Sequence, residues 1–267
     1  NRIIAFKQNS FMEIVFTGNS SNKHRMNDIS TEVGCVSSKT VLEIRGALFF
    51  LGLTDVWVYT GGQPTPIGQN VRAVLDSINP NYYSKCWAGT DGQRYYLGLV
   101  TGSNTEPDTL LVYDTKFSKW RIRSKSIGGM KCAAMLGAQW YTGDVNGQTF
   151  QMNTGTTENG NKISWKYDSK AFDEGFREAE KEYYEIHVQT YLPTGSDMSL
   201  SVSTSDRAAD FMQIDTVSNS NVANNSNIII PMDTVPLTNW MRYRLSGLGP
   251  ATIYSAERYY RVQPVQI

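Results

Sequence analysis

The feature that most constrains this chain is a seven-residue pattern that occurs three times. It reads GALFFLG at 46–52, GQRYYLG at 92–98 and GAQWYTG at 137–143. Each copy opens on a glycine (Gly46, Gly92, Gly137) and carries two adjacent aromatics (Phe49 and Phe50, Tyr95 and Tyr96, Trp140 and Tyr141). Each closes on a second glycine. The opening glycines lie 46 and 45 residues apart. Internal periods of about 40–50 residues are typical of four-stranded propeller blades. The flanks keep the same time. Runs of small and apolar residues precede each copy, VSSKTVLEI (36–44), SKCWAG (84–89) and GGMKCAAML (128–136), and suit a crowded inner strand near a propeller axis. Further strand candidates follow each copy: VWVY (56–59), TLLVYD (109–114) and TFQM (149–152).

IIAF (3–6) lies 45 residues before LFFL (48–51), and SFMEIVF (10–16) then supplies the next strand, so the chain begins in the middle of a blade. The expected fold is all-β: a partial β-propeller of about three and a half four-stranded blades over 1–153, a linker at 154–162 and a β-sandwich over 163–267. Propellers have about 4–8 blades, and an open arc leaves strand edges that invite pairing. Either earlier blades are missing from a fragment, as the opening Asn1 suggests, or another chain or element closes the ring. One segment reads as helix: Val71, Val74, Leu75 and Ile78 share a helical face, Asn70 can cap it and Pro80 stops it.

The 45-residue clock stops after Met152, and polar NTGTTENGNK (153–162) reads as the linker. Six strand candidates then follow, ISWKY (163–167), YEIHVQTYL (184–192), MSLSVSTS (198–205), NIIIPM (227–232), TNWMRYRLSG (238–247) and ATIYSAERYYRVQPV (251–265). Many alternate apolar with polar, as half-buried antiparallel strands do. FDEGFREAEKEYYEI (172–186) has helical propensity, but Gly175 favours a turn leading into the strand at 184.

Charge narrows the function. The 25 basic and 25 acidic residues cancel, so no global field draws the chain to nucleic acid or membrane. Contact with DNA needs a local patch, and KFSKWRIRSKS (116–126) supplies the candidate: Lys119, Arg121, Arg123 and Lys125 share one face of an extended strand. The plainer reading is a solvated outer strand whose cations discourage edge pairing. The three cysteines form no CxxC pair and read as buried thiols in a reducing compartment, with neither a disulfide framework nor a zinc site. No apolar run is long enough to cross a membrane, and no signal peptide is visible.

Chemistry is sparse. His24 sits in a polar stretch and His187 in an alternating strand, and neither has a nucleophile motif beside it. No phosphate-binding glycine loop occurs, and GSNTEPD (102–108), acidic enough to suggest calcium, reads as a connecting loop. Catalytic, cofactor and metal residues are therefore expected to be none.

Three stretches carry a resemblance. Gly34-Cys35 followed by GALFFLGLTDVWVYTGGQPTPIGQNVRAVLDSINP, then LLVYDTKFSKWRI, then KYDSKAFDEGFREAEKEYYEIHV, are similar to propeller proteins of tailed-phage virions. The family is that of the packaged-DNA stabilisation (head-completion, tail-hub) proteins of short-tailed phages. The resemblance implies a non-enzymatic virion protein, a homo-oligomeric ring held between portal or adaptor and tail components, and stabilisation of the packaged DNA. Two other functions stay open. A receptor- or glycan-binding tail protein would show an exposed aromatic cluster in a shallow pocket. A propeller glycosidase would bring two or three carboxylates together at the mouth of its channel.

Overall fold

The structure is a computed structural model that describes residues 2–19, 21–123, 130–158, 160–205, 210–218 and 225–264. The chain divides into two compact units, Asn1–Thr154 and Gly155–Ile267. Both are built from antiparallel strands.

The first unit is a series of four sheets. β1 (Arg2–Phe6), β2 (Phe11–Phe16) and β3 (His24–Ser30) form a three-stranded sheet. β4 (Leu42–Ile44), β5 (Ala47–Leu51), β6 (Val56–Tyr59) and β7 (Thr65–Pro66) form the next, paired in chain order. β8 (Trp87–Thr90), β9 (Arg94–Leu99), β10 (Thr109–Asp114) and β11 (Lys119–Arg123) form the third. β12 (Cys132–Leu136), β13 (Gln139–Gly143) and β14 (Thr149–Met152) form the fourth. The inner strand β8 neighbours β4 on one side and β12 on the other, the arrangement of propeller blades around an axis.

Layers of side chains hold neighbouring sheets together. Between the first and second sheets, Phe6, Phe11, Phe50 and Tyr59 meet, with Phe6 and Phe50 4.8 Å apart. Between the second and third, Phe49 stacks on Tyr95 at 5.4 Å beside Tyr113. Between the third and fourth, Tyr96 stacks on Trp140 at 3.9 Å beside Trp87 and Met152. Hydrogen bonds fix the same interfaces: Tyr95 Oη donates to Thr40 O at 2.7 Å, Ser37 Oγ to Cys86 O at 2.8 Å, Trp120 Nε1 to Ile67 O at 2.6 Å, and Trp87 Nε1 to Met130 O. The repeated aromatic pair points to opposite faces of its strand: in the first two copies each ring enters a different layer, and in the third Trp140 enters a layer while Tyr141 lies on the outer face. The order is not constant. In β5 the second ring turns back to the preceding sheet, whereas in β9 the first ring does.

The glycines of the pattern have two separate jobs. Gly46, Gly92 and Gly137 sit at φ 81°, 86° and 61° in open turns, where only the backbone requirement selects glycine. Gly98 lies under the Trp87 indole, with 2.2 Å between the position of an added Cβ and Nε1, so there it is space that selects glycine.

Several expectations need correction. The segment around Val71 is a 3-10 turn (Gln69–Val71) running into a single helical turn, α1 (Arg72–Leu75). Asn70 lies inside that turn and does not cap it, and Pro80 opens a further 3-10 segment (Pro80–Lys85). Val71 and Leu75 do enter the core. His24 opens β3 and does not sit in a loop. The thiols are not uniformly buried: Cys86 is buried, Cys35 half-buried and Cys132 exposed. Burial raises the Cys35 and Cys86 thiol pKa values, which keeps both protonated and unreactive.

The second unit opens with a small hairpin, β15 (Thr157–Glu158) and β16 (Asn161–Lys162), inside the stretch read as linker. Seven strands follow: β17 (Ser164–Asp168), β18 (Lys181–Tyr191), β19 (Asp197–Ser203), β20 (Met212–Ser218), β21 (Asn225–Pro231), β22 (Arg242–Leu248) and β23 (Thr252–Val262). They form two sheets, ordered β17-β22-β19-β20 and β21-β18-β23. Ile186, Val188, Met198, Leu200, Met232 and Met241 fill the space between them, as in a β-sandwich. β18 begins three residues before the expected position, and β20 was not expected at all. The 170–180 segment is a turn: Glu174 and Gly175 have φ of 53° and 78°. The Arg258 guanidinium fastens it, holding the Glu174 carboxylate at 2.7 and 3.2 Å and lying 3.5 Å from the centre of the Phe172 ring. Lys181 is wholly buried, and its Nζ donates to the carbonyls of Phe176, Ala179 and Asn239 at 2.5, 2.9 and 2.6 Å.

Substituting the two kinds of glycine separates their roles. Gly92→Ala should cost about 1–2 kcal/mol through backbone strain alone. Gly98→Ala should cost roughly 1–3 kcal/mol by displacing Trp87, and should also change the tryptophan fluorescence of the folded state. Urea unfolding with fluorescence detection measures both. Equal spectra for the two folded variants would contradict this division.

Candidate functional site

The carboxylates of the first unit were assessed as a catalytic set. Asp91 sits in the turn between β8 and β9. Its Oδ1 accepts from the Gln93 and Arg94 amides at 3.0 and 2.7 Å, and its Oδ2 from Tyr96 Oη and Arg94 Nη1 at 2.8 and 2.9 Å. Arg94 Nε reaches Asp114 Oδ2 at 3.3 Å, and Asp114 Oδ1 accepts from the Lys116 amide at 3.0 Å. Burial pushes both aspartates up, but their hydrogen-bond donors outweigh it and hold each below the ordinary value of 3.8. A general acid for glycoside hydrolysis needs the opposite shift. Three more aspartates tie turns together. Asp55 accepts from the Gly68 amide at 2.7 Å, Asp108 from the Thr101 amide at 2.6 Å and Asp144 from the Gln148 amide at 2.8 Å. In the GSNTEPD loop, Glu106 pairs with Lys85 at 2.6 Å and Lys131 at 3.5 Å. Among the described residues no group of three or more His, Cys, Asp or Glu is placed to hold a metal ion.

The basic stripe lies on β11, the outer edge strand of the third sheet. Lys119 and Arg121 are exposed there, and Arg123 is half-buried with Nη1 3.1 Å from Asn153 Oδ1. Lys125 lies outside the described residues. Trp120 turns inward, as the alternation predicts, whereas Ile122 is 61% exposed.

What the sequence did not reveal is the state of the two end faces of the sheet series. On the first sheet, Ile4, Phe6 and Phe11 face the second sheet. Alternation and register put Ile3, Ala5, Met12, Ile14, Phe16 and Met26 on the opposite face, where Ile3, Phe16 and Met26 are 65%, 56% and 69% exposed. On the fourth sheet, Ala133, Trp140 and Phe150 face the third. The other face carries Cys132, Ala134, Leu136 and Tyr141, with Leu136 74% exposed. The first sheet also has no strand inside β1, and a hollow of about 250 Å³ lined by Arg2, Ile4, Glu43, Leu48 and Tyr59 lies along that edge.

The sign of the Asp91 and Asp114 shifts sets an acid response. Their contribution to stability is fully present above the unfolded value of 3.8 and is lost as pH falls through the lower folded value. The stability of the first unit, followed between neutral pH and pH about 2, should fall below the ordinary aspartate range. Asp91→Asn should flatten that slope, and an unchanged acid profile in the variant would refute the assignment.

No protein-family model matches the chain, and no curated protein does. Among solved structures, it is similar to an exo-β-1,3-galactanase from Phanerochaete chrysosporium bound to β-1,3-galactotriose. That match has 8% identity and a TM-score of 0.26, and covers 92% of this chain and 75% of that one. It is also similar to a glycoside hydrolase family 43 arabinoxylan arabinofuranohydrolase from Bacillus subtilis in complex with cellotetraose, at 8% identity and a TM-score of 0.27, over 97% and 95% of the two chains. A Bacillus thuringiensis Cry1Da tryptic core variant matches at 10% identity and a TM-score of 0.21, over 97% of this chain and 48% of that one. At these scores the activities of those proteins say nothing about this one. The functional expectation is corrected: none of these similar structures is a phage protein, and neither a family model nor a curated protein supports a virion head-completion or tail-attachment role.

Proposed function

We propose that this chain is a non-catalytic assembly protein whose sheet series is completed by a second copy of itself. The observation that carries this reading is the pair of uncovered apolar faces at its two ends. The second and third sheets have both faces covered by apolar side chains, whereas the two end faces leave Ile3, Phe16, Met26 and Leu136 exposed. The fourth sheet offers Ala134, Leu136 and Tyr141, and the first offers Ile3, Ile14, Phe16 and Met26. Contact of one end with the other end of a second copy repeats the internal arrangement and is heterologous. Two copies of four sheets make eight, within the usual ~4–8 blades of closed propellers. A three-stranded face is small beside the ~800 Å² per partner of a standard interface. Closure forms two such contacts at once, and the second is then intramolecular and far stronger than it would be alone. The lowered carboxylate pKa values of the first unit favour structural roles for those groups, in keeping with a protein that does no catalysis.

Sedimentation velocity tests this. The chain should form a dimer that Leu136→Asp and Met26→Asp each reduce to monomer, with unchanged circular dichroism because both side chains are exposed. Mixing the two variants should give a dimer much weaker than wild type, since it restores one of the two contacts but not the closure. A wild-type monomer at high concentration, or variants that still dimerise, would end the proposal.

A further inference from the structure

The second unit carries a separate feature, on the outward face of the β21-β18-β23 sheet. Gln189 on the central strand β18 pairs with Asn227 on β21 and with Ser255 on β23. The next step of the ladder pairs Thr190 with Ile253, so the register skips Tyr254. A bulge of this kind leaves one residue unpaired and re-aims its side chain. Tyr254 is 61% exposed and stands beside a hollow of about 430 Å³ whose other walls are Gln189, Thr190, Ser226 and Asn227. Thr190, the next residue, is buried toward the inner face with its hydroxyl donating to Thr252 O at 2.9 Å, which fixes the strand at this point. The side-chain amides of Gln189 and Asn227 have no protein partner among the described residues, so their donors and acceptors are open to a ligand.

We infer that this hollow binds a neutral sugar. Three properties of its lining select that class. An exposed phenol ring offers a flat apolar face to the C–H side of a pyranose. Two amides, each with one acceptor oxygen and two donor hydrogens, match adjacent hydroxyl groups that both give and accept. Among the described residues the lining contains no ammonium, guanidinium or carboxylate to select an ionic ligand.

Charge enters in the neighbouring rows of the same face. His187 is two residues from Gln189 on β18, about 7 Å away, and pairs with Glu257 on β23. Glu185 Oε2 lies 2.8 Å from His187 Nε2, and Tyr259 stacks on the imidazole at 4.2 Å and donates to Glu257 Oε2 at 3.3 Å. Glu257 and Glu185 stand one and two ladder steps beyond Gln189 and outside the described lining, so nothing in that lining favours an acidic glycan and its uncharged groups accept a neutral one.

The test uses the full chain against a panel of neutral oligosaccharides built from glucose, galactose, mannose or xylose, with sialylated and uronate oligosaccharides alongside. Binding is read by array and then by titration calorimetry. At least one neutral oligosaccharide should bind, and the acidic ones should bind no more tightly. Tyr254→Ala should weaken binding about tenfold or more, the loss of roughly 1.4 kcal/mol, and Gln189→Ala should weaken it too. Both residues are exposed, and unchanged circular dichroism confirms that the variants fold. Leu136→Asp should bind as well as wild type, which separates this site from self-assembly. Failure of every neutral sugar to bind, a preference for acidic sugars, or undiminished binding by Tyr254→Ala would overturn the inference.

Discussion

Ring-on-ring contact between neighbouring sheets is the constraint from which the first unit follows. A strand that carries two adjacent aromatics cannot hide both against a single neighbour, because alternation sends them to opposite faces. To bury both rings its sheet must be covered on two sides, as the second and third sheets are. Three such strands at a fixed interval therefore require a series of sheets and exclude an isolated two-layer domain. Each buried ring removes about 150–250 Å² from water. At about 25 cal/mol per Å² this is several kcal/mol per ring before conformational entropy opposes it. Burial sets the stacking but not the register. That falls to directional contacts such as Tyr95 to Thr40 and Trp120 to Ile67, which reach across from one sheet to the backbone of the next.

How much of this was legible depended on whether the signal was a period or a face. The period announced the sheets: the three glycine-aromatic motifs, the short inner strands and the mid-blade beginning all fall where the 45-residue interval places them. It was silent on which ring enters which layer, since a pattern with aromatics on both faces reads the same in either direction. It was silent too on whether a face is covered. Met12, Ile14 and Phe16 alternate in β2 as core residues would, and only coordinates show that Phe16 is exposed and the other two half-buried. Cys132 failed for the same reason: its small apolar context suggests burial, but it sits on the outer face of the last sheet.

In the second unit the alternating strands were plain, and the misses have local causes. β20 has few apolar residues, because Val217 is the one side chain in it that is deeply buried and most of the rest face solvent. The hairpin at 157–162 is too short and polar to stand out from a linker. Lys181 runs against every sequence rule, since a lone lysine beside glutamates reads as surface. Its three carbonyl partners come from the two loops that flank the end of β18, so the residue is understandable only once those loops are in place. The hollow beside Tyr254 was equally hidden. The exposed ring of Tyr254 is placed by a register shift, and a register shift leaves no trace in composition.

That origin has a mechanical consequence for recognition. A ring carried on a loop must be ordered when a ligand arrives, and the ordering of each rotamer-rich side chain weakens binding by about 0.5–1.5 kcal/mol. Tyr254 stands on a strand whose neighbours are held on both sides of the bulge by ladder hydrogen bonds, and its partner amides stand on the two strands alongside. The three groups are thus spaced by the sheet itself, at intervals fixed by strand separation and residue rise. Affinity at such a surface is governed by the fit between that spacing and the hydroxyl pattern of the sugar, so discrimination among neutral sugars is written into the backbone ladder before any side chain moves.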